Sequence, residues 1–286
     1  MIAQAGIGLC VTFGLMVGGG CFSAMSLSAM AQSAPEQIAT PWVTDLHSAM
    51  ALIGGGREAG VLLGGIAIRL DPGWKTYWRT PGDSGVPPRF DFSASDNIAA
   101  VTVLWPVPKQ FPDGAGGISF GYQNEIVLPL RIVASAPDKP VTLRAQIDYA
   151  VCEKLCLPVA AKAELVLPAS ETPANPRLTT ALARVPQHAT IAATDPLGVR
   201  AVKRDGATVT VDVAAPPGDD VVLFVEGPTP EWALPPPKLV ATTPAGLRRF
   251  SFELDGLPSG AHADGAVLKL TLADAEHAYD YDVRLD

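Results

Sequence analysis

The sequence predicts an all-β protein, two tandem β-sandwiches joined by a short helix. Three observations carry this. Short β-branched runs recur at roughly 8–12-residue spacing, the pattern of a sandwich. Helical periodicity is confined to one segment. The 27 prolines and 27 glycines supply the turns between runs.

The N-terminal segment is set aside first. From Ile2 to Pro35 there is no charged side chain, Ile7 to Phe22 is largely apolar, and Ala29-Met30-Ala31 precedes the polar Gln32-Ser33. This reads as a secretory signal peptide, residues 1–31, cleaved after Ala31. Only the α-amino group supplies its positive charge. The glycines and serines of Gly18 to Ser28 speak against a retained spanning helix. About 255 residues then remain, enough for one large or two ordinary domains. No later stretch is apolar for long enough to cross a bilayer, so no membrane insertion of the mature chain is expected. The net charge of −8 contains no basic block, which excludes nucleic acid and anionic lipid as expected partners.

Val61 to Leu70, Val101 to Leu104, Ile126 to Val133, Val141 to Val151 and Ala161 to Leu167 read as strands of the first sandwich, placed at residues 37–168. Residues 169–186 form a linker. There Asn175 caps a short helix, Pro176 takes its first position, and Leu178, Leu182 and Val185 share a face. The second sandwich, residues 187–286, has runs at Val199 to Lys203, Thr208 to Val213, Val221 to Val225, Arg249 to Leu254, Val267 to Leu272 and Tyr279 to Leu285. Asp205-Gly206 makes a tight turn between the first two. The alternation Trp74, Thr76, Trp78 is read as a core face, and Trp105 and Trp232 as core.

Cysteine usage points to the chemistry. Cys10 and Cys21 leave with the signal peptide, so the mature chain holds Cys152 and Cys156 alone. In an oxidising compartment such a pair is normally bonded to each other. Alternating Leu143, Ala145, Ile147, Tyr149 and Val151 predict a strand into Cys152, and Pro158 begins another leaving Cys156. Glu153, Lys154 and Leu155 then form a hairpin tip. A bond closing so short a loop stabilises by only about 2 kcal/mol, against ~4.7 kcal/mol for a loop near a hundred residues. An exchangeable disulfide is therefore favoured, with Lys154 placed to stabilise a leaving thiolate. The residues leave two alternatives open: a structural disulfide in a non-catalytic adaptor, and a copper- or zinc-handling protein. Against metal, His47, His188, His262 and His277 are scattered and none neighbours a cysteine. Gly82-Asp83-Ser84-Gly85 has the look of a serine-protease nucleophile loop. Val86 stands where a second glycine is needed, and only His47 precedes Ser84 in the mature chain. A turn-rich loop is the better reading.

Residues from about Trp42 to Pro168 also resemble a known family. The segments are Asp71-Pro72-Gly73-Trp74-Lys75-Thr76-Tyr77-Trp78-Arg79, Phe120-Gly121-Tyr122-Gln123-Asn124-Glu125-Ile126-Val127-Leu128-Pro129, and Tyr149 to Pro158. In that order they are similar to the N-terminal periplasmic domain of the thiol:disulfide interchange protein DsbD, nearest its copper-sensitivity-suppressor relatives. The resemblance implies an immunoglobulin-like fold, a periplasmic location and no cofactor. It implies electron relay between a membrane-embedded thiol carrier and thioredoxin-like periplasmic proteins. It also implies that Cys156 forms mixed disulfides with Cys152 as resolving partner, and that Phe120 and Tyr122 cap the disulfide on a loop hinged at Gly114 to Gly117. Full-length members carry a membrane-spanning carrier and a C-terminal thioredoxin-like domain. These 286 residues show neither, so separate proteins supply them or the domain serves another process. The second sandwich, without cysteine, is expected to be scaffold or docking surface.

Overall fold

The computed structural model describes residues 38–113, 116–218 and 220–286, within the compact unit Gln37–Asp286. The expected signal peptide lies outside the described residues, as do Gly114 and Ala115 of the glycine run. No helix among the described residues is long and apolar enough to cross a membrane.

In chain order the first half holds β1 (Val43–Asp45), β2 (Ser48–Glu58), β3 (Val61–Leu70), β4 (Lys75–Gly82), β5 (Arg89–Asp91), β6 (Ile98–Val103), β7 (Lys109–Pro112), β8 (Ile118–Gln123), β9 (Glu125–Ala134), β10 (Val141–Cys152) and β11 (Cys156–Leu167). They form two antiparallel sheets, one ordered β1-β2-β3-β9-β6 and the other β11-β10-β4-β8-β7, with β5 also on β10. Met50, Leu52, Ile66, Leu128 and Leu130 face Leu143, Ile147, Tyr149 and Trp78 in a shared core, as period-two patterning requires. The strands expected from the sequence are present; β1, β2, β4, β5, β7 and β8 were not among them, and β2 is the longest of these. Its Gly54-Gly55-Gly56 has the composition of a turn, yet it is strand because neighbours press close. A Cβ on Gly54 would come within 2.3 Å of a Leu167 methyl, and one on Gly65 of β3 within 2.5 Å of a Leu178 methyl.

That Leu178 belongs to α1 (Pro176–Leu182), which covers the outer face of the first sheet with Leu178 and Ala181 against Ile53, Ala67 and Val127. Asn175 caps it as the sequence implied, its side chain accepting from the Arg177 N–H at 3.0 Å. The helix ends at Leu182, so Val185 lies beyond it.

The second half holds β12 (Gln187–His188), β13 (Gly198–Asp205), β14 (Thr208–Ala214), β15 (Val222–Glu226), β16 (Lys238–Thr242), β17 (Arg248–Glu253), β18 (Val267–Ala273) and β19 (Ala278–Arg284). Its sheets run β12-β19-β18-β15 and β13-β14-β17-β16, around a core that includes Val211, Trp232, Leu270 and Tyr281. The fold is all-β, two immunoglobulin-like sandwiches in tandem. Trp232 is core as expected, while Trp105 is only partly buried against the first core.

The strand β15 also reaches the first core, with Val222 partly buried against it. Phe224 of β15 packs in the first core, 5.4 Å from Trp78 and 4.9 Å from Phe120 between ring centres. Beside it the Glu226 carboxylate accepts from Arg79 Nε at 2.8 Å, from a second Arg79 nitrogen at 2.7 Å and from Thr80 Oγ1 at 2.7 Å. Glu226 is 11% exposed, so its loss strands a half-buried guanidinium. Glu226→Ala is expected to cost about 2 kcal/mol in urea unfolding, the scale of charged hydrogen bonds. A change under about 0.5 kcal/mol would mean the contact is only a surface pair.

Candidate functional site

Cys152 ends β10 and Cys156 begins β11, and the two stand directly opposite in the register. The antiparallel ladder thus brings their Cα atoms to 4.2 Å, and the sulfurs are bonded. Glu153, Lys154 and Leu155 make the tip as expected, with the Glu153 N–H donating to the Leu155 carbonyl at 3.3 Å. The turn Asp71 to Trp74 backs this tip: Gly73, at φ +88°, leaves space in which a Cβ would sit 3.4 Å from a Glu153 carboxylate oxygen.

The two sulfurs have different surroundings. Cys152 is 2% exposed, packed with Tyr77 and Ala150 in a small cluster of its own. Cys156 is exposed. The Tyr77 hydroxyl lies 3.3 Å from Cys156 Sγ. Burial pushes the Tyr77 hydroxyl above its usual pKa, so it stays a protonated donor through neutral pH. Sequence reading missed this residue. The signal was present: β4 carries aromatic side chains on both faces, Trp78 inward and Tyr77 outward, which marks a strand covered on both sides.

The expected cap does not hold. Val151, Thr76 and Tyr122 form one row across β10, β4 and β8, whereas Cys152, Lys75 and Gln123 form the next. Adjacent rows point to opposite faces. Tyr122 and Phe120 accordingly face the core, 6% and 3% exposed, and the disulfide lies on the other side of the sheet. The Tyr122 hydroxyl donates to the Pro106 carbonyl at 2.7 Å, and burial raises its pKa well above the usual tyrosine value. Phe120 is wedged edge-on against Trp78 and Phe224. The core-face reading of Trp78 and Thr76 agrees with the structure; Trp74 is only partly buried and stacks on His47 at 3.9 Å.

Lys154 stands exposed at the hairpin tip. Lys75, directly across from Cys152, sends its ammonium to Ser119 Oγ at 2.9 Å on β8, the side of β4 away from the cysteines. Burial lowers the Lys75 pKa, and Asp113 partly offsets that. The Gly82 to Gly85 segment is a turn, as expected. The Asp83 carboxylate accepts from the Ile118 N–H at 2.8 Å, and Gly85 approaches the Tyr77 ring so closely that a Cβ there would come to 2.5 Å. Among the described residues no group of three His, Cys, Asp or Glu is placed to hold a metal ion.

A buried sulfur bonded to an exposed one, with a hydroxyl beside the exposed one, is an arrangement for one-sided attack on a disulfide. Residues 60–168 match the family model described as thiol:disulfide interchange protein DsbD, N-terminal. This segment is similar to the DsbD N-terminal domain. The match ends at Pro168, just after β11, and includes both cysteines. Among solved structures, the N-terminal periplasmic domain of ScsB from Proteus mirabilis is similar at 21% identity and a TM-score of 0.66. The similarity covers 87% of this chain and 99% of that one. It extends the shared fold beyond the DsbD-type segment into the second sandwich. The adhesin domain of Epf from Streptococcus pyogenes aligns with a TM-score of only 0.20, at 10% identity over 85% of this chain and 78% of that one. A comparison with curated proteins finds no match.

Proposed function

We propose that this chain is a periplasmic thiol–disulfide exchange module that relays electrons through Cys152 and Cys156. Its partners are a membrane-embedded thiol carrier and thioredoxin-like periplasmic proteins. The observation that carries the reading is the asymmetry of the pair, with Cys156 open and Cys152 closed off. In the oxidised module a donor thiolate attacks Cys156 Sγ in line with the bond, and Cys152 leaves as thiolate. The donor's second thiolate then displaces Cys156, and two electrons and two protons have moved onto the module. Passing them on reverses the order: the Cys156 thiolate attacks the acceptor disulfide, and Cys152 closes the bond again. The Tyr77 hydroxyl is placed to donate to Cys156 whenever it carries charge. Lys154 at the tip adds a cation within the same turn.

Two tests follow directly. Tyr77→Phe removes the donor but keeps the ring, so folding is retained. Alkylation of the reduced protein at neutral pH is expected to slow by about tenfold, the scale of one charged hydrogen bond, with the pH profile moved to higher pH. An unchanged profile would remove Tyr77 from the mechanism. Cleavage of the expected signal peptide should leave a mature chain that begins near Gln32, and intact mass of periplasmic material reads this; an uncut N-terminus would overturn the cleavage.

A further inference from the structure

The face that carries the disulfide continues into a groove. The register places Ala150 opposite Pro158 and Asp148 opposite Ala160, on the same face as Cys152 and Cys156. Ala150, Pro158 and Ala160 make a floor without tall side chains. Val86 and Pro87, from the turn after β4, line one side of a space of about 650 Å³. Val86 is 54% exposed although it is apolar. The open sulfur of Cys156 lines one end, and Arg89 and Asp148, paired across β5 and β10, line the other. From Cys156 to Ala160 the floor runs four residues, on the order of 13 Å at the rise of a strand.

Resting on the exchange reading above, we infer that this groove docks an extended polypeptide segment next to the partner's reactive cysteine, with apolar side chains on the Ala150–Pro158–Ala160 floor. Continuity with Cys156 argues for this occupant: whatever attacks that sulfur brings its flanking residues over the floor. Length argues for a polypeptide over a small thiol, because a free thiol reaching Cys156 leaves most of the 13 Å uncovered. The polar far end suits the backbone or a charged side chain of a longer segment. Affinity then comes from apolar burial near the sulfur, and specificity from flanking sequence rather than from the cysteine itself.

The test uses two synthetic peptides of equal length, each with one central cysteine. One carries Leu and Val on both sides of it, the other Gly and Ser. Their rates of mixed-disulfide formation with the oxidised protein are read by acid quench and mass spectrometry, alongside reduction by dithiothreitol. The apolar peptide is expected to react about tenfold faster, the effect of burying roughly two methylene groups. In Ala160→Trp, where an indole fills the floor from an exposed position, the ratio of the two rates should fall to about one. Val86→Lys, at the wall, should lower the ratio as well and serves if the first variant melts early. Taking the ratio within each variant cancels any general change in sulfur reactivity. Equal rates in the unsubstituted protein, or a ratio that survives both substitutions, would overturn the groove. A bond that neither peptide nor dithiothreitol opens would instead overturn the exchange reading.

Discussion

Phe120→Ala with Tyr122→Ala is expected to bring the first sandwich close to unfolding without exposing the disulfide to faster reduction. Each ring is more than nine-tenths buried. Truncating one buried phenylalanine costs ~3–5 kcal/mol, and a tyrosine with a satisfied hydroxyl is comparable. The pair together should cost on the order of 5 kcal/mol or more, a large part of the 5–15 kcal/mol that holds a typical domain. The loss has two sources: the cavity left against Trp78 and Phe224, and the Pro106 carbonyl deprived of the Tyr122 donor. Because Phe224 comes from the second sandwich, the thermal transition of both halves should move together. Reduction by dithiothreitol, measured well below the melting temperature, should proceed at the rate of the parent. Faster reduction in a protein that melts normally would restore the two rings to a place over the bond.

The second large effect concerns the cysteines. Cys152→Ser leaves the exposed sulfur without its resolving neighbour, so incubation with a thioredoxin-like disulfide should accumulate a mixed disulfide through Cys156. Cys156→Ser leaves only a thiol that is 2% exposed, and trapping should fall by roughly a hundredfold or more, because access limits exchange. Non-reducing electrophoresis followed by mass mapping reads both. Equal trapping by the two variants would mean that either sulfur is reachable and that the asymmetry has no kinetic meaning. The change to serine costs little in folding, since a five-residue loop supplies only about 2 kcal/mol of closure entropy.

Much of this site was legible because it rests on alternation. The run Leu143 to Val151 fixes which side chains of β10 face the core, and the turn that follows fixes that Cys152 meets Cys156. The helix cap at Asn175 was legible for a similar local reason. What stayed hidden depends on contacts distant in sequence. Gly54 to Gly56 belong to a strand only because Leu167 and the segment before α1 lie against it. Phe120 and Tyr122 have the same alternation whether they line a core or cover a bond; the pairing of Thr76 with Tyr122 and of Lys75 with Cys152 decides it. Tyr77 of β4 reaches Cys156 of β11 across the intervening β10. Glu226 looks like any strand-ending acid until Arg79 and Thr80 close on it.

The reduction potential of the Cys152–Cys156 bond bears most directly on the proposed exchange. Equilibration of the intact protein with glutathione or dithiothreitol mixtures of known potential, quenched by acid and read by mass, supplies it. Structural disulfides lie below about −300 mV, and exchangeable ones higher. The open Cys156 sulfur and its Tyr77 donor predict a value above that boundary, within reach of thioredoxin-like partners near −270 mV. A bond that stays closed down to about −300 mV and below would make it a hairpin staple and contradict the relay.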